Sequence, residues 1–168
     1  MAEQAREFRP AFVALTDPAA AERLRPLLPP GTTLRVGPES AELLCLEADF
    51  DLAVHGITGA AGVRPSQRIL ERGKPLALAN KESLVVAGEP LLELARARGV
   101  AVLPIDSEHS AIFQCLRGEA LDKVRRILLT ASGGAFRDLP LEALERATPA
   151  EAVRHPNWDM GPRITIGS

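Results

Sequence analysis

Short apolar runs alternate with longer amphipathic stretches along most of the chain. AFVAL (11–15), TTLRV (32–36), DLAVH (51–55), PLALA (75–79), VAVLP (100–104) and VRRILLT (124–130) are five to seven residues long and rich in aliphatic side chains. Runs of that length and composition read as strands. Between them lie DPAAAERLRPLL, PESAELLCLEA, RPSQRILER, ESLVVAGEPLLELARARG and SEHSAIFQCLRG, which read as amphipathic helices. Asp17 followed by Pro18 is an N-cap with a first-turn proline, and Gly73 and Gly99 sit where helix C-caps belong. The alternation predicts βαβ units, hence an α/β fold with a mostly parallel sheet and helices on both faces. The last third differs. LPLEALERATPAEAVRHPNWDMGPRITIGS has short helical pieces, a Pro- and Gly-broken stretch and an alternating RITI, and reads as a loop-bearing second region.

Composition narrows the classes. The 168 residues are 46% hydrophobic and 25% charged, enough for one domain, or one and a fraction, around a real core. A formal charge of −2 leaves no broad electrostatic footprint for nucleic acid or an anionic membrane, so phosphate binding has to be local. Cys45 and Cys115 stand far apart in no metal or redox spacing and read as reduced thiols. Every apolar run is far short of the roughly 18 residues of a membrane span. The opening MAEQAREFRP lacks the apolar core of a signal peptide. A cytoplasmic protein is expected.

In parallel sheets ligands gather outside the carboxyl ends of the strands. Three polar clusters fall there: ANKES (79–83) after PLALA, PIDSEHS (104–110) after VAVLP, and TASGGAF (130–136) after VRRILL. Asp106 and Glu108 can converge on one hard cation such as Mg²⁺ or Mn²⁺. Equally, Asp106 can be a plain helix N-cap with Glu108 in the first turn. His109 is open between ligand, base and bystander. TASGGAF can wrap an anion with its backbone N–H groups or be an ordinary turn. Lys81 can hold a cofactor or substrate oxygen, or be solvated. RHPNWDMG (154–161) carries the single Trp, suited to a lid or to a hydrophobic plug. GITGAAG (56–62) has glycines at a spacing that hints at phosphate binding, and a turn needing small residues explains it too.

Taken in order and spacing, ANKESL, PIDSEHSAIFQ, LTASGGAFRD and RHPNWDMGPRITI closely resemble the 1-deoxy-D-xylulose 5-phosphate reductoisomerase family, from residue 3 to residue 168. The resemblance implies a Rossmann-like NADPH-binding domain over 1–104. The start of an α+β catalytic, metal-binding domain with its lid loop follows over 105–168. It implies Asp106 and Glu108 as ligands of Mg²⁺ or Mn²⁺, with Glu108, Ser107 and Lys81 touching the substrate. Ser132, His155 and Ser168 match positions around the substrate's phosphate. Asn80, Glu82 and Gly161 match cofactor-side positions, and Trp158 matches the indole of the lid.

The implied reaction is a metal-dependent skeletal rearrangement of a small sugar phosphate, 1-deoxy-D-xylulose 5-phosphate, with reduction by NADPH to 2-C-methyl-D-erythritol 4-phosphate. It belongs to bacterial non-mevalonate isoprenoid synthesis, by a homodimeric cytoplasmic enzyme with no nucleic-acid or membrane partner. The sequence also departs from the family's pattern. The opening strand with its glycine-rich phosphate loop, the third metal carboxylate and the helical C-terminal domain are not among these residues. Gly167 stands where the family usually carries an acid. The chain therefore reads as a fragment expected to be inactive alone, and the alternative is a catalytically inactive binding module of the same fold. A different βαβ dehydrogenase is disfavoured, since neither cysteine has a catalytic context.

Overall fold

Five of the six expected strands form, and they pair only in parallel. The computed structural model describes residues 1–131 and 133–167. Strand β1 (Phe12–Leu15) lies beside β2 (Thr33–Val36), with Phe12 opposite Thr33. A second sheet has the order β3 (Ala53–His55), β4 (Leu76–Leu78), β5 (Val102–Pro104), with Ala53 opposite Leu76 and Leu76 opposite Val102. This is the mixed α/β, parallel-sheet architecture that the alternation called for. Parallel neighbours need a crossover, and helices supply it. Helix α1 (Ala2–Phe8) precedes β1. Then α2 (Pro18–Leu24) joins β1 to β2, α3 (Ser40–Glu47) leads to β3, α4 (Val63–Glu71) joins β3 to β4, and α5 (Lys81–Arg98) joins β4 to β5.

Helix ends fall where the sequence punctuates them. Asp17 Oδ1 accepts from Ala19 N at 2.8 Å and Ala20 N at 3.2 Å, with Pro18 in the first turn. Gly99 ends α5 in the left-handed region at φ 65°, where a side chain would be strained. Within α5 the backbone breaks at Ala87 (φ −142°, ψ 32°), just before Pro90, whose ring cannot tolerate the carbonyl four residues back. The core is built from Ile69, Leu70, Leu76, Leu78, Leu91 and Ala95. The middle strand β4 is buried at all three positions, which is why PLALA reads as a continuous apolar run rather than an alternation.

The chain divides into two compact units, Met1–Arg117 and Gly118–Ser168. Helix α6 (Ser107–Leu116) closes the first. The second carries α7 (Leu141–Leu144), α8 (Pro149–Ala152) and α9 (Pro162–Gly167). Among its described residues no strand occurs, so the expected strand over 124–130 is not formed. A strand is completed by its neighbour's hydrogen bonds, and no second strand of the unit is described beside it. The alternating RITI lies in α9, entered by Pro162 and closed by the Thr165 N–H donating to Gly161 O at 3.1 Å. Among the described residues no helix is long and apolar enough to cross a membrane.

Candidate active site

The carboxyl ends of β4 and β5 bring two of the polar clusters together. The ladder runs one residue past the strands, with Ile105 N donating to Leu78 O at 3.0 Å and Ala79 N to His55 O at 2.9 Å. Immediately beyond, Asn80 caps α5 and Asp106 caps α6. Two adjacent parallel strands that each feed a helix place both helix N-termini, and Lys81 and Glu108 in their first turns, at one sheet end.

Across that edge Lys81 Nζ donates to Glu108 Oε2 at 3.0 Å. The Lys81 hydrogen bond, followed by Glu108's own backbone N–H and the Ser107 hydroxyl, holds the Glu108 carboxyl down at about 2. Asp106 Oδ2 accepts from the His109 N–H at 3.2 Å and stands 2.6 Å from His109 Nδ1. The capping alternative for Asp106 is therefore realised, and His109 is its partner. Each carboxylate faces a nitrogen donor, Glu108 facing Lys81 and Asp106 facing His109. The oxygen-only donor pair suits Mg²⁺ or Mn²⁺. Among the described residues no third His, Cys, Asp or Glu joins them in a metal-sized cluster.

Beside this polar edge lies an apolar pocket of about 340 Å³, lined by Leu84, Leu92, Val102, Ile112, Phe113 and Leu116, with Lys81, Asp106 and His109 on its wall. Carbon walls next to a charged corner lower the local dielectric, which strengthens any electrostatic contact made there.

The remaining candidates of the first unit sit on the other side of Lys81. Asn80 is 3% exposed, and its amide donates to Gly59 O and to Glu82 Oε2, both at 3.1 Å. GITGAAG forms a loop ending in a 3-10 turn, Gly59–Gly62, before α4. A Cβ on Gly62 would stand 2.6 Å from Asn80 Oδ1 and 2.7 Å from His55 Cε1. Close approach thus accounts for the glycine, as the small-residue reading expects. His55 was missed by sequence reasoning. It is 4% exposed, with Nε2 3.1 Å from Gly62 O. A histidine ending an apolar strand was the available signal.

In the second unit His155 organises a local turn. Its Nδ1 accepts from the N–H groups of Asn157 (3.1 Å) and Trp158 (3.0 Å), so the proton is on Nε2, which donates to Gly133 O at 2.9 Å. This ties Gly133 to the Trp158 turn. Trp158 is mostly exposed and Gly161 has φ 77°. Ser132 and Ser168 lie outside the described residues.

Residues 1–88 match the family model described as 1-deoxy-D-xylulose 5-phosphate reductoisomerase, and residues 102–168 match the model of that enzyme's C-terminal domain. The chain is 48% identical to the reductoisomerase of Chlorobium phaeovibrioides, across all of this chain and 44% of that protein. It is 52% identical to that of Paracoccus denitrificans, again over all of this chain and 43% of the relative. Among solved structures, DOX-P reductoisomerase in complex with NADPH, fosmidomycin and magnesium superimposes with a TM-score of 0.81 at 34% identity, covering 98% of this chain and 43% of that one. The Zymomonas mobilis enzyme in complex with NADPH gives 0.81 at 36% identity, over 92% of this chain and 41% of its own. The chain thus spans less than half the length of these relatives.

Proposed function

Because the chain belongs to the 1-deoxy-D-xylulose 5-phosphate reductoisomerase family, we propose that it supplies the metal-binding corner, the substrate lysine and part of the cofactor wall of that enzyme. The reaction is the rearrangement and NADPH-dependent reduction of 1-deoxy-D-xylulose 5-phosphate to 2-C-methyl-D-erythritol 4-phosphate, in the cytoplasm, by a homodimer. The observation that carries this reading is the meeting of Lys81, Asp106 and Glu108 at the ends of two adjacent parallel strands, with Lys81 Nζ 3.0 Å from Glu108 Oε2.

Residues 1–104 would form the NADPH-binding Rossmann-like domain and 105–168 the first part of the catalytic, metal-binding domain. Asp106 and Glu108 would hold Mg²⁺ or Mn²⁺, and their hard oxygen donors fit either ion. When bound, the metal supplies Lewis-acid polarisation of substrate oxygens, and NADPH supplies the hydride. Lys81 would donate to a substrate oxygen, and Ser107 offers a hydroxyl at the α6 N-terminus. The glycine loop 56–62 lies at the β3 end of the same sheet edge, where parallel sheets take dinucleotides. Glu82 and the main chain at Asn80 belong to that side, and Gly161 is assigned a cofactor role by its match to the family's motif. Ser132, His155 and Ser168 hold the substrate's phosphate, far from the reacting carbons, so that its binding energy orients the substrate. Trp158, the indole that matches the family's lid, is assigned the lid's role of excluding water from bound substrate.

Manganese titration followed by electron paramagnetic resonance tests the metal assignment. The native chain is expected to bind Mn²⁺, and Asp106→Asn and Glu108→Gln each to weaken binding at least about tenfold. Equal affinity in all three, or none in the native chain, would remove Asp106 and Glu108 from the metal role. NADPH titration by fluorescence checks the cofactor side separately.

A further inference from the structure

The Asn80 side chain has no hydrogen-bonding capacity left for a ligand. A carboxamide offers two N–H donors and two acceptor lone pairs. Oδ1 accepts from the Ser83 N–H at 3.0 Å and from the Ser83 hydroxyl, while Nδ2 donates to Gly59 O and Glu82 Oε2 at 3.1 Å each. All four valences are used inside the protein, and the residue is 3% exposed. Ser83 is fully buried beneath it.

The same amide is wedged against the glycine loop. Gly62 approaches so closely that a Cβ would collide with Asn80 Oδ1 at 2.6 Å and with the His55 ring at 2.7 Å. His55 Nε2 donates to Gly62 O at 3.1 Å, which assigns the ring proton to Nε2. Its Nδ1 is buried without a hydrogen-bond partner. A bare ring nitrogen is tolerable as a lone pair, whereas a proton there would be a buried donor with no acceptor. The His55 carbonyl meanwhile accepts from Ala79 N at 2.9 Å, immediately before Asn80. Three contacts of independent chemistry therefore converge: an amide bridge, a ring-to-carbonyl bond and a side-chain-free van der Waals seat.

We infer that Asn80, with Gly62 and His55, is a positioning clamp that locks the Gly59–Gly62 turn to the start of α5 and so sets where Lys81 and Glu82 stand relative to the loop. Asn80 acts on a bound molecule through these neighbours and not by direct contact of its side chain. The functional consequence rests on the reading of loop 56–62 as cofactor side, whereas the clamp itself does not.

Two variants separate clamp from ligand contact. Asn80→Ser keeps a good N-cap oxygen and removes both amide donors. Gly62→Ala leaves Asn80 chemically intact and forces a Cβ into the seat. Amide hydrogen exchange is followed across 56–62 and over the β1–β2 sheet in the 168-residue chain, and NADPH affinity is measured by fluorescence titration. Both variants are expected to raise exchange in 56–62 by on the order of tenfold, with β1–β2 unchanged. NADPH affinity should fall in step with the lost protection. Weakened NADPH binding in Asn80→Ser without faster exchange in 56–62 would make Asn80 a ligand contact and overturn the clamp. Unchanged exchange in both variants would overturn it as well. Should the native chain show no NADPH affinity, the cofactor reading fails and the exchange data alone decide the clamp.

Discussion

Lys81 and Glu108 are 27 positions apart in sequence, yet their charged atoms stand 3.0 Å apart across the ends of β4 and β5. The pair holds Glu108 down at about 2, chiefly through the lysine's hydrogen bond. A depressed carboxylate contributes stability that is present above its ordinary value of 4.5 and is lost as pH falls towards about 2. In Lys81→Met the Glu108 carboxyl is expected to titrate at clearly higher pH than in the native chain, read by carbon-13 NMR of the side chain. A native Glu108 already titrating near 4.5 would show that the pair does not hold in solution.

Asp106 performs two separable jobs. As N-cap of α6 it accepts from His109 N at 3.2 Å, and its removal in Asp106→Ala should cost about 1 kcal/mol of stability. Asp106→Asn keeps the capping oxygen and loses the charge. Urea denaturation should therefore distinguish alanine from asparagine, while Mn²⁺ titration should find both impaired. If asparagine destabilises as much as alanine, capping is not what Asp106 contributes.

His55 gives the fold an acid-side weakness. Burial is the leading influence on its imidazole and lowers its pKa below the ordinary 6.5. The unfolded chain then takes up a proton that the folded one refuses, so stability is full above about pH 6.5 and falls as the pH drops below it. His55→Gln should flatten that slope, measured as urea midpoints over the range from neutral to mildly acidic pH. An identical slope in native chain and variant would assign the acid sensitivity elsewhere.

The repetitive part of the fold was legible because it is written in local chemistry. Asp17-Pro18, Gly73 and Gly99 mark helix ends that depend on backbone geometry alone, and PLALA is apolar throughout because β4 is buried on both faces. The convergence of ANKES and PIDSEHS was legible too, since strand ends in a parallel sheet share one edge. Who pairs with whom there was not. Asp106 meeting His109, and Lys81 meeting Glu108, depend on rotamers across two elements. The clamp of His55, Gly62 and Asn80 escaped because nothing local distinguishes a glycine in a turn from one under a carboxamide. VRRILLT misled for the opposite reason: strand propensity is a fit to a neighbour, and none is described there.

Leu70 is fully buried, within the cluster formed by α4, α5 and the three-stranded sheet. Truncation to alanine removes its transfer energy and leaves a cavity, for an expected loss of about 2–5 kcal/mol. Leu43, on the outer side of α3, should cost far less when truncated. Chemical denaturation of both variants tests this ordering. Equal losses would mean that the packing described around Ile69, Leu76 and Leu91 is not the structural core.

The 124–130 stretch carries the last prediction. Leu128 and Leu129 are 72% and 65% exposed, and no ladder satisfies the backbone beneath them. An apolar, strand-prone segment with free N–H and C=O groups is a template for pairing with another chain. Concentration-dependent association is therefore expected, seen as rising static light scattering. A single charge breaks such a segment, because each added strand would stack like charges in register. Leu128→Lys should suppress the association while leaving the urea midpoint of the Met1–Arg117 unit unchanged, since Leu128 lies outside it. If the lysine variant associates as strongly as the parent, the contact lies elsewhere, and Val54 and Val85, both more exposed than Leu128, are the next positions to charge.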